Sequence, residues 1–212
     1  LLEYSNALFT ANYSEKLSAT EKYSLHLKYN DFFSDIKQFE HNFKVNKKKI
    51  RIGYISPDFR QHAVSYFSYT MLANFNRNVF EVFCYAKGLE DDITFKLKAV
   101  VDKWQNVDNL EYEDIAKLIY ADNIDILVDL AGHTAHSLLP VLAYKPAPLQ
   151  ISGIGYFNTT GLKTVDYFLT DLNCDPIGKN DEFFSEQLLS LEHSHFCYSP
   201  LINMGEVSAL PA

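Results

Sequence analysis

Three short stretches concentrate residues able to move protons or to bind phosphate and sugar. The first is Ser56-Pro57-Asp58-Phe59-Arg60-Gln61-His62, with a carboxylate and an imidazole four residues apart. A histidine at such a place can serve as acid, base or hydrogen-bond donor near neutral pH. Its plainer use is to cap the helix that follows, and Asp58 by itself reads as a turn aspartate. The second stretch is Ala131-Gly132-His133-Thr134-Ala135-His136, and the third is Gly153-Ile154-Gly155-Tyr156-Phe157-Asn158-Thr159-Thr160-Gly161. Glycines free backbone N–H groups and hydroxyls donate, a composition suited to phosphate or sugar hydroxyls. His133-x-x-His136 and His193-x-His195-x-Cys197 have metal-like spacing. Neither completes a recognised zinc set, and Cys84 and Cys174 have no ligand neighbours in sequence, so polar loop histidines without metal are expected.

The elements that must position these stretches follow from periodicity. Ser18-Ala19-Thr20-Glu21 has capping-box spacing, and a helix is expected after it, with an earlier one over Leu1 to Thr10. Tyr4, Phe9, Tyr13, Tyr23, Phe32 and Phe33 of this part are expected to pack a core or an interface. Lys47-Lys48-Lys49 reads as a solvated linker. From Ile50 the pattern changes. Strands are predicted at Ile50–Ile55, Phe80–Tyr85, Ile124–Leu130, Leu149–Ser152 and Tyr167–Leu169, with helices at 64–74, 91–101, 111–121 and 137–143 between them. Alternating strands and helices imply a parallel, doubly wound sheet. In such sheets ligands bind beyond the carboxyl ends of the strands, which is where the three stretches fall. Phe59, Tyr66 and Tyr156 are the aromatics expected near that cleft.

Composition removes several functions. A net charge of −8 over 212 residues disfavours nonspecific nucleic-acid binding. No apolar run reaches membrane-spanning length, so no membrane partner is expected. Leu1-Leu2-Glu3-Tyr4 lacks the features of a signal peptide. Three widely spaced cysteines suit a reducing, cytoplasmic setting. There is no G-x-G-x-x-G after the first strand, no Walker A sequence and no G-x-S-x-G elbow, which disfavours dinucleotide enzymes, ATPases and α/β-hydrolases.

Three strings, in order, carry a family resemblance: Ile52-Gly53-Tyr54-Ile55-Ser56-Pro57-Asp58-Phe59-Arg60-x-His62, Ile124 to Thr134, and Pro146-Ala147-Pro148-x-Gln150 through Gly155-Tyr156-x-x-Thr159-Thr160-Gly161. Together they resemble the catalytic region of O-linked N-acetylglucosamine transferases of the bacterial branch with tetratricopeptide repeats. Asp166 to Asp171 and Phe183 to Leu188 continue the likeness, and Ser5 to Tyr13 resembles the segment joining repeats to catalytic core. The resemblance implies a Rossmann-like α/β sheet, the N-terminal lobe of a GT-B glycosyltransferase, preceded by a short all-helical segment. It divides the chain into a helical joint (1–46), the lobe (47–200) and the start of an inter-lobe linker (201–212). It implies metal-independent, inverting transfer of a sugar from a nucleotide donor, UDP-N-acetylglucosamine, to Ser or Thr of a protein acceptor. No cofactor or metal is implied. His62 falls on the family's active-site histidine. Asp58, His133, Thr134, Gly155, Tyr156, Thr159 and Thr160 fall on donor- and substrate-binding loops. Tyr66 stands where some relatives carry a second histidine, and Ala135 where relatives carry a basic residue. The nucleotide is held mainly by a C-terminal lobe, so this lobe without that partner is expected to be inactive. The alternatives are the same fold with GDP-fucose or UDP-glucose as donor, or a non-catalytic interaction module.

Overall fold

The computed structural model describes residues 1–41, 48–202 and 205. The expected joint–lobe boundary at 46/47, with Lys47 of the lysine run, lies outside these residues, as does most of the expected linker at 201–212. Two helices open the chain, α1 (Leu2–Ala11) and α2 (Ala19–Leu27), and a 3-10 turn follows over Lys28–Phe33. The capping box forms. Ser18 Oγ accepts from the Glu21 amide at 3.2 Å, and the Glu21 carboxylate accepts from the Ser18 amide at 2.8 Å. Two orphan donors at the start of α2 are thereby satisfied.

The rest alternates β1 (Ile50–Ser56), α3 (Ala63–Ala73), β2 (Phe80–Ala86), α4 (Asp92–Lys98), β3 (Lys103–Asn106), α5 (Tyr112–Ala121), β4 (Ile126–Asp129), α6 (Leu139–Leu142), β5 (Leu149–Ser152), β6 (Tyr167–Asp171) and β7 (Gln187–Leu191). The strands form one seven-stranded sheet in the order β3-β2-β1-β4-β5-β6-β7. Every pairing is parallel, with Ile55 opposite Tyr85 on one side and Asp129 on the other. The expected Rossmann-like, doubly wound sheet behind a helical segment is therefore present. Two strands escape the sequence pattern. β3 carries Lys103-Trp104-Gln105-Asn106 on one sheet edge and is recruited by β2, Phe83 pairing with Lys103. β7 is the opposite edge, half-exposed and without a β-branched residue.

The central strands are buried on both faces, as a parallel sheet requires. Alternate residues divide between two apolar clusters. Tyr54, Val82, Cys84 and Val128 pack with Val64 and Leu72 of α3 and Ile93 and Leu97 of α4. Ile55, Phe83, Tyr85 and Leu127 pack with Ile115 and Ile119 of α5 and Leu139 of α6. Leu8 and Tyr29 from the N-terminal helices belong to this second cluster. The helical segment thus contributes to the core of the lobe. The aromatics it carries divide: Tyr29 is buried, while Phe32 and Tyr13 stand in solvent. Phe59, expected near the cleft, is instead a core residue packed on Trp104 at 5.4 Å.

Candidate functional site

Strand order reverses between β1 and β4, because the chain runs outward from β1 through β2 to β3 and then returns to β1's other side. The connections leaving the carboxyl ends of β1 and β4 part at that point and leave a crevice. A cavity of about 370 Å³ opens there, walled by Asp58, Arg60, Lys87, Asp108 and His136 among others.

His62 is the N-cap of α3: Nδ1 accepts from the Val64 amide at 3.3 Å. The same Nδ1 lies 3.8 Å from Asp58 Oδ2, and the imidazole is 40% exposed. Asp58 is buried, with Oδ1 3.4 Å from the Arg60 guanidinium. Its amide donates to Ser56 Oγ and its carbonyl accepts from Ser65 Oγ, so turn and helix are tied together. Capping and a chemical role are compatible here. Capping occupies Nδ1 and leaves Nε2 for a ligand. With Nδ1 accepting, the proton of the neutral ring sits on Nε2, which then donates.

The other expected site residues gather in a seam between the strand-end loops and the N-terminal helices. His133 is fully buried. Nε2 bonds the Thr160 carbonyl at 2.8 Å and Nδ1 bonds Ser5 Oγ at 2.6 Å. Since the carbonyl only accepts, Nε2 carries the proton and Ser5 donates to Nδ1. Burial drives the imidazole's pKa down to about 3, against the opposing pull of the Thr160 bond. Tyr156 is also buried, its hydroxyl 2.6 Å from His26 Nε2 and 2.8 Å from Asn12 Nδ2. Burial pushes that phenol up. Both rings thus turn toward the helices, with their polar atoms engaged by protein. Gly155 follows from close approach: a Cβ there would lie 2.2 Å from the Leu130 carbonyl oxygen. Thr159 and Thr160 are buried on Glu186. Its carboxylate accepts from Thr159 Oγ1 at 2.6 Å, from the Thr160 amide at 2.8 Å and from Thr160 Oγ1. Thr134, half-buried, gives its hydroxyl to the Ala131 carbonyl. Thr134, Gly155 and Tyr156 line a second cavity of about 560 Å³, whose other wall is Phe9, Asn12, Tyr13 and Lys22 of the helical segment.

Several residues that shape the site were not singled out in the sequence. Asp129 ends β4 buried and accepts from the Gly132 amide at 2.8 Å and Ser152 Oγ at 2.7 Å, fixing the turn that carries His133. Burial raises its pKa, opposed by those donors. Ser5, Asn12, His26 and Glu186 act across 26 to 146 residues of chain. Ser5 and Asn12 fall within the Ser5 to Tyr13 string and Glu186 within the Phe183 to Leu188 string, whereas His26 had no sequence signal.

The structure also corrects the expectation that Cys174 has no ligand neighbour. Asp171, Cys174 and His195 place potential ligand atoms within 4.8 Å of one another. The Asp171 carboxylate is already filled by N–H donors: Asn173 and Cys174 amides on Oδ1, and the His195 amide and ring Nδ1 on Oδ2 at 3.0 and 2.6 Å. Those bonds, the His195 amide foremost, hold its pKa well below the usual carboxylate range. Burial and the adjacent Asp171 raise the Cys174 thiol, which opposes the thiolate a metal needs. The cluster fits a hydrogen-bonded turn better than a metal centre. The His133-x-x-His136 spacing makes no pair either, since both His133 nitrogens are occupied.

Fold and site define a doubly wound α/β lobe with its cleft at the switch point of the sheet. Residues 15–201 match the model of glycosyl transferase family 41, and the chain belongs to that family. It is 39% identical over 176 residues to a probable UDP-N-acetylglucosamine–peptide N-acetylglucosaminyltransferase SPINDLY of Oryza sativa subsp. japonica, covering 81% of this chain and 19% of that protein. The corresponding figures for the Hordeum vulgare SPINDLY are 35%, 98% and 23%. For the Arabidopsis thaliana SEC protein they are 34%, 70% and 15%. Among solved structures, a mutant of the Thermobaculum terrenum O-GlcNAc transferase superposes with a TM-score of 0.90 at 30% identity, covering 98% of this chain and 41% of that one. The chain thus spans about a fifth of the length of these curated relatives.

Proposed function

We propose that the chain is the N-terminal catalytic lobe of a protein O-glycosyltransferase that moves N-acetylglucosamine from UDP-N-acetylglucosamine to Ser or Thr of a protein acceptor. The observation that carries the reading is His62, on the turn after β1 with Nδ1 held by the Val64 amide and the ring 40% exposed, in a chain of this family. Relatives named for peptide N-acetylglucosaminyl transfer support the donor and the acceptor class. The second lobe of the same protein completes the site, and transfer needs no metal. Three free thiols, two of them exposed, support a reducing cytoplasmic setting. No described helix is long and apolar enough to cross a membrane.

Inverting transfer needs a path for the acceptor proton and stabilisation of the leaving diphosphate. In its capped tautomer His62 donates from Nε2 and orients the oxygen it meets. To take a proton on Nε2, the ring must carry hydrogen on Nδ1. That tautomer exchanges the Val64 amide for Asp58 Oδ2, 3.8 Å away. Asp58 is then the group that favours the base form. Arg60 and Lys87 place positive charge on the cavity wall, where an anionic leaving group gains from it.

The test is transfer of labelled sugar from UDP-N-acetylglucosamine to protein acceptors by the full-length enzyme. His62→Ala should lower kcat by about 10²–10⁴-fold. Folded wild type without transfer, or a variant of undiminished rate, overturns the reading.

A further inference from the structure

The helical segment is tied to the strand-end loop 156–158 by one directional chain of hydrogen bonds. His26 Nδ1 is 2.7 Å from the Lys22 carbonyl, so this nitrogen carries the proton and Nε2 is left as an acceptor. Tyr156 O–H therefore donates to His26 Nε2 at 2.6 Å. The phenol oxygen accepts from Asn12 Nδ2 at 2.8 Å, and Asn12 Oδ1 accepts from Asn158 Nδ2 at 2.8 Å. Each link has one possible sense, because the carbonyl and amide ends admit no other. The chain is buried at His26 and Tyr156. It joins α1 and α2 to both ends of the segment 156–158, which lies on the wall of the 560 Å³ cavity.

We propose that Asn12, His26 and Tyr156 are positioning residues for this loop, and that they act on the acceptor polypeptide rather than on the donor sugar-nucleotide. The inference rests on the function proposed above and deepens it. The cavity suits an extended polypeptide: Phe9, Tyr13 and Phe157 offer apolar contact, while Asn158 and Lys22 offer polar contact. Phe157 is 68% exposed, between buried Tyr156 and half-buried Asn158, with an edge-on contact to the Phe196 ring at 5.7 Å. Loss of the network frees the rim, while the turn that holds His62 keeps its own bonds to Val64, Ser56 and Ser65.

The experiment uses the full-length enzyme with Asn12→Ala, His26→Gln and the double variant. Each single change should raise the acceptor KM about three- to tenfold, the worth of one hydrogen bond. The kcat and the donor KM should stay within about twofold, a split that general destabilisation does not produce. The double variant should be no worse than the weaker single, because both break one chain. An unchanged acceptor KM, a parallel loss of kcat and donor affinity, or effects that multiply in the double would overturn the proposal. If the wild type transfers no sugar, the function is refuted instead, and hydrogen exchange decides the positioning claim. Amides of 155–160 should then exchange faster in the variants while those of β2 do not, and equal rates would sink it.

Discussion

Acidification should loosen the seam beneath the N-terminal helices, and His133 sets the size of the effect. The ring is buried among Tyr29, Tyr156 and His26, with centroids 4.5, 5.3 and 5.5 Å away, and no carboxylate is among these contacts. Its pKa falls from 6.5 to about 3 on folding. The sign follows directly. A base with a depressed folded pKa binds more protons when unfolded, so stability is complete above pH 6.5 and declines as pH falls toward 3. At pH 7.5 both states are neutral. At pH 5.0 protonation of the unfolded state costs the fold about 2 kcal/mol, or roughly 4–8 °C in Tm for a domain of this size. His26 is likewise buried and shifted down, and adds in the same direction. The assay is urea unfolding at pH 7.5 and 5.0, at low concentration because the isoelectric point is near 5.3, for wild type and His133→Gln. Glutamine keeps a donor for the Thr160 carbonyl but cannot titrate. Wild type should lose about 2 kcal/mol more than the variant between the two pH values. Equal losses would mean that His133 titrates normally in the folded state, and that the seam is open to water.

Two further outcomes test the same architecture. Gly161 has φ +73°, and a Cβ would fall 2.0 Å from the His26 carbonyl oxygen, so Gly161→Ala should cost about 3 kcal/mol and loosen the helices, read by thermal unfolding and by proteolysis of 1–41. Glu186→Ala strips the acceptor from Thr159 and Thr160 and should cost about 3 kcal/mol, with Glu186→Gln recovering part of it; equal stability for the two variants would show that the carboxylate is not holding that turn.

The sequence by itself determined what depends on near neighbours. Capping at Ser18 and Glu21 is a matter of four consecutive residues. The central strands announce themselves as apolar runs because both faces of a parallel sheet are covered. The loops rich in Gly, His and Thr lie at strand ends, and His62 caps the helix after β1, both as the sequence pattern anticipates. The edge strands are not anticipated. Lys103–Asn106 has no apolar periodicity, and it becomes a strand because β2 presents unpaired backbone groups beside it. Tertiary structure alone decided which way the loop side chains turn. His133 and Thr134 are neighbours in the string, yet the first is sealed under Ser5, 128 residues away, while the second borders a cavity. Asp171, Cys174 and His195 likewise meet only because β6 and the segment after β7 lie together. The physical reason is common to these cases. A side chain's periodicity is set by its own backbone, but its burial, its tautomer and its pKa are set by partners that only the folded chain brings within hydrogen-bonding distance.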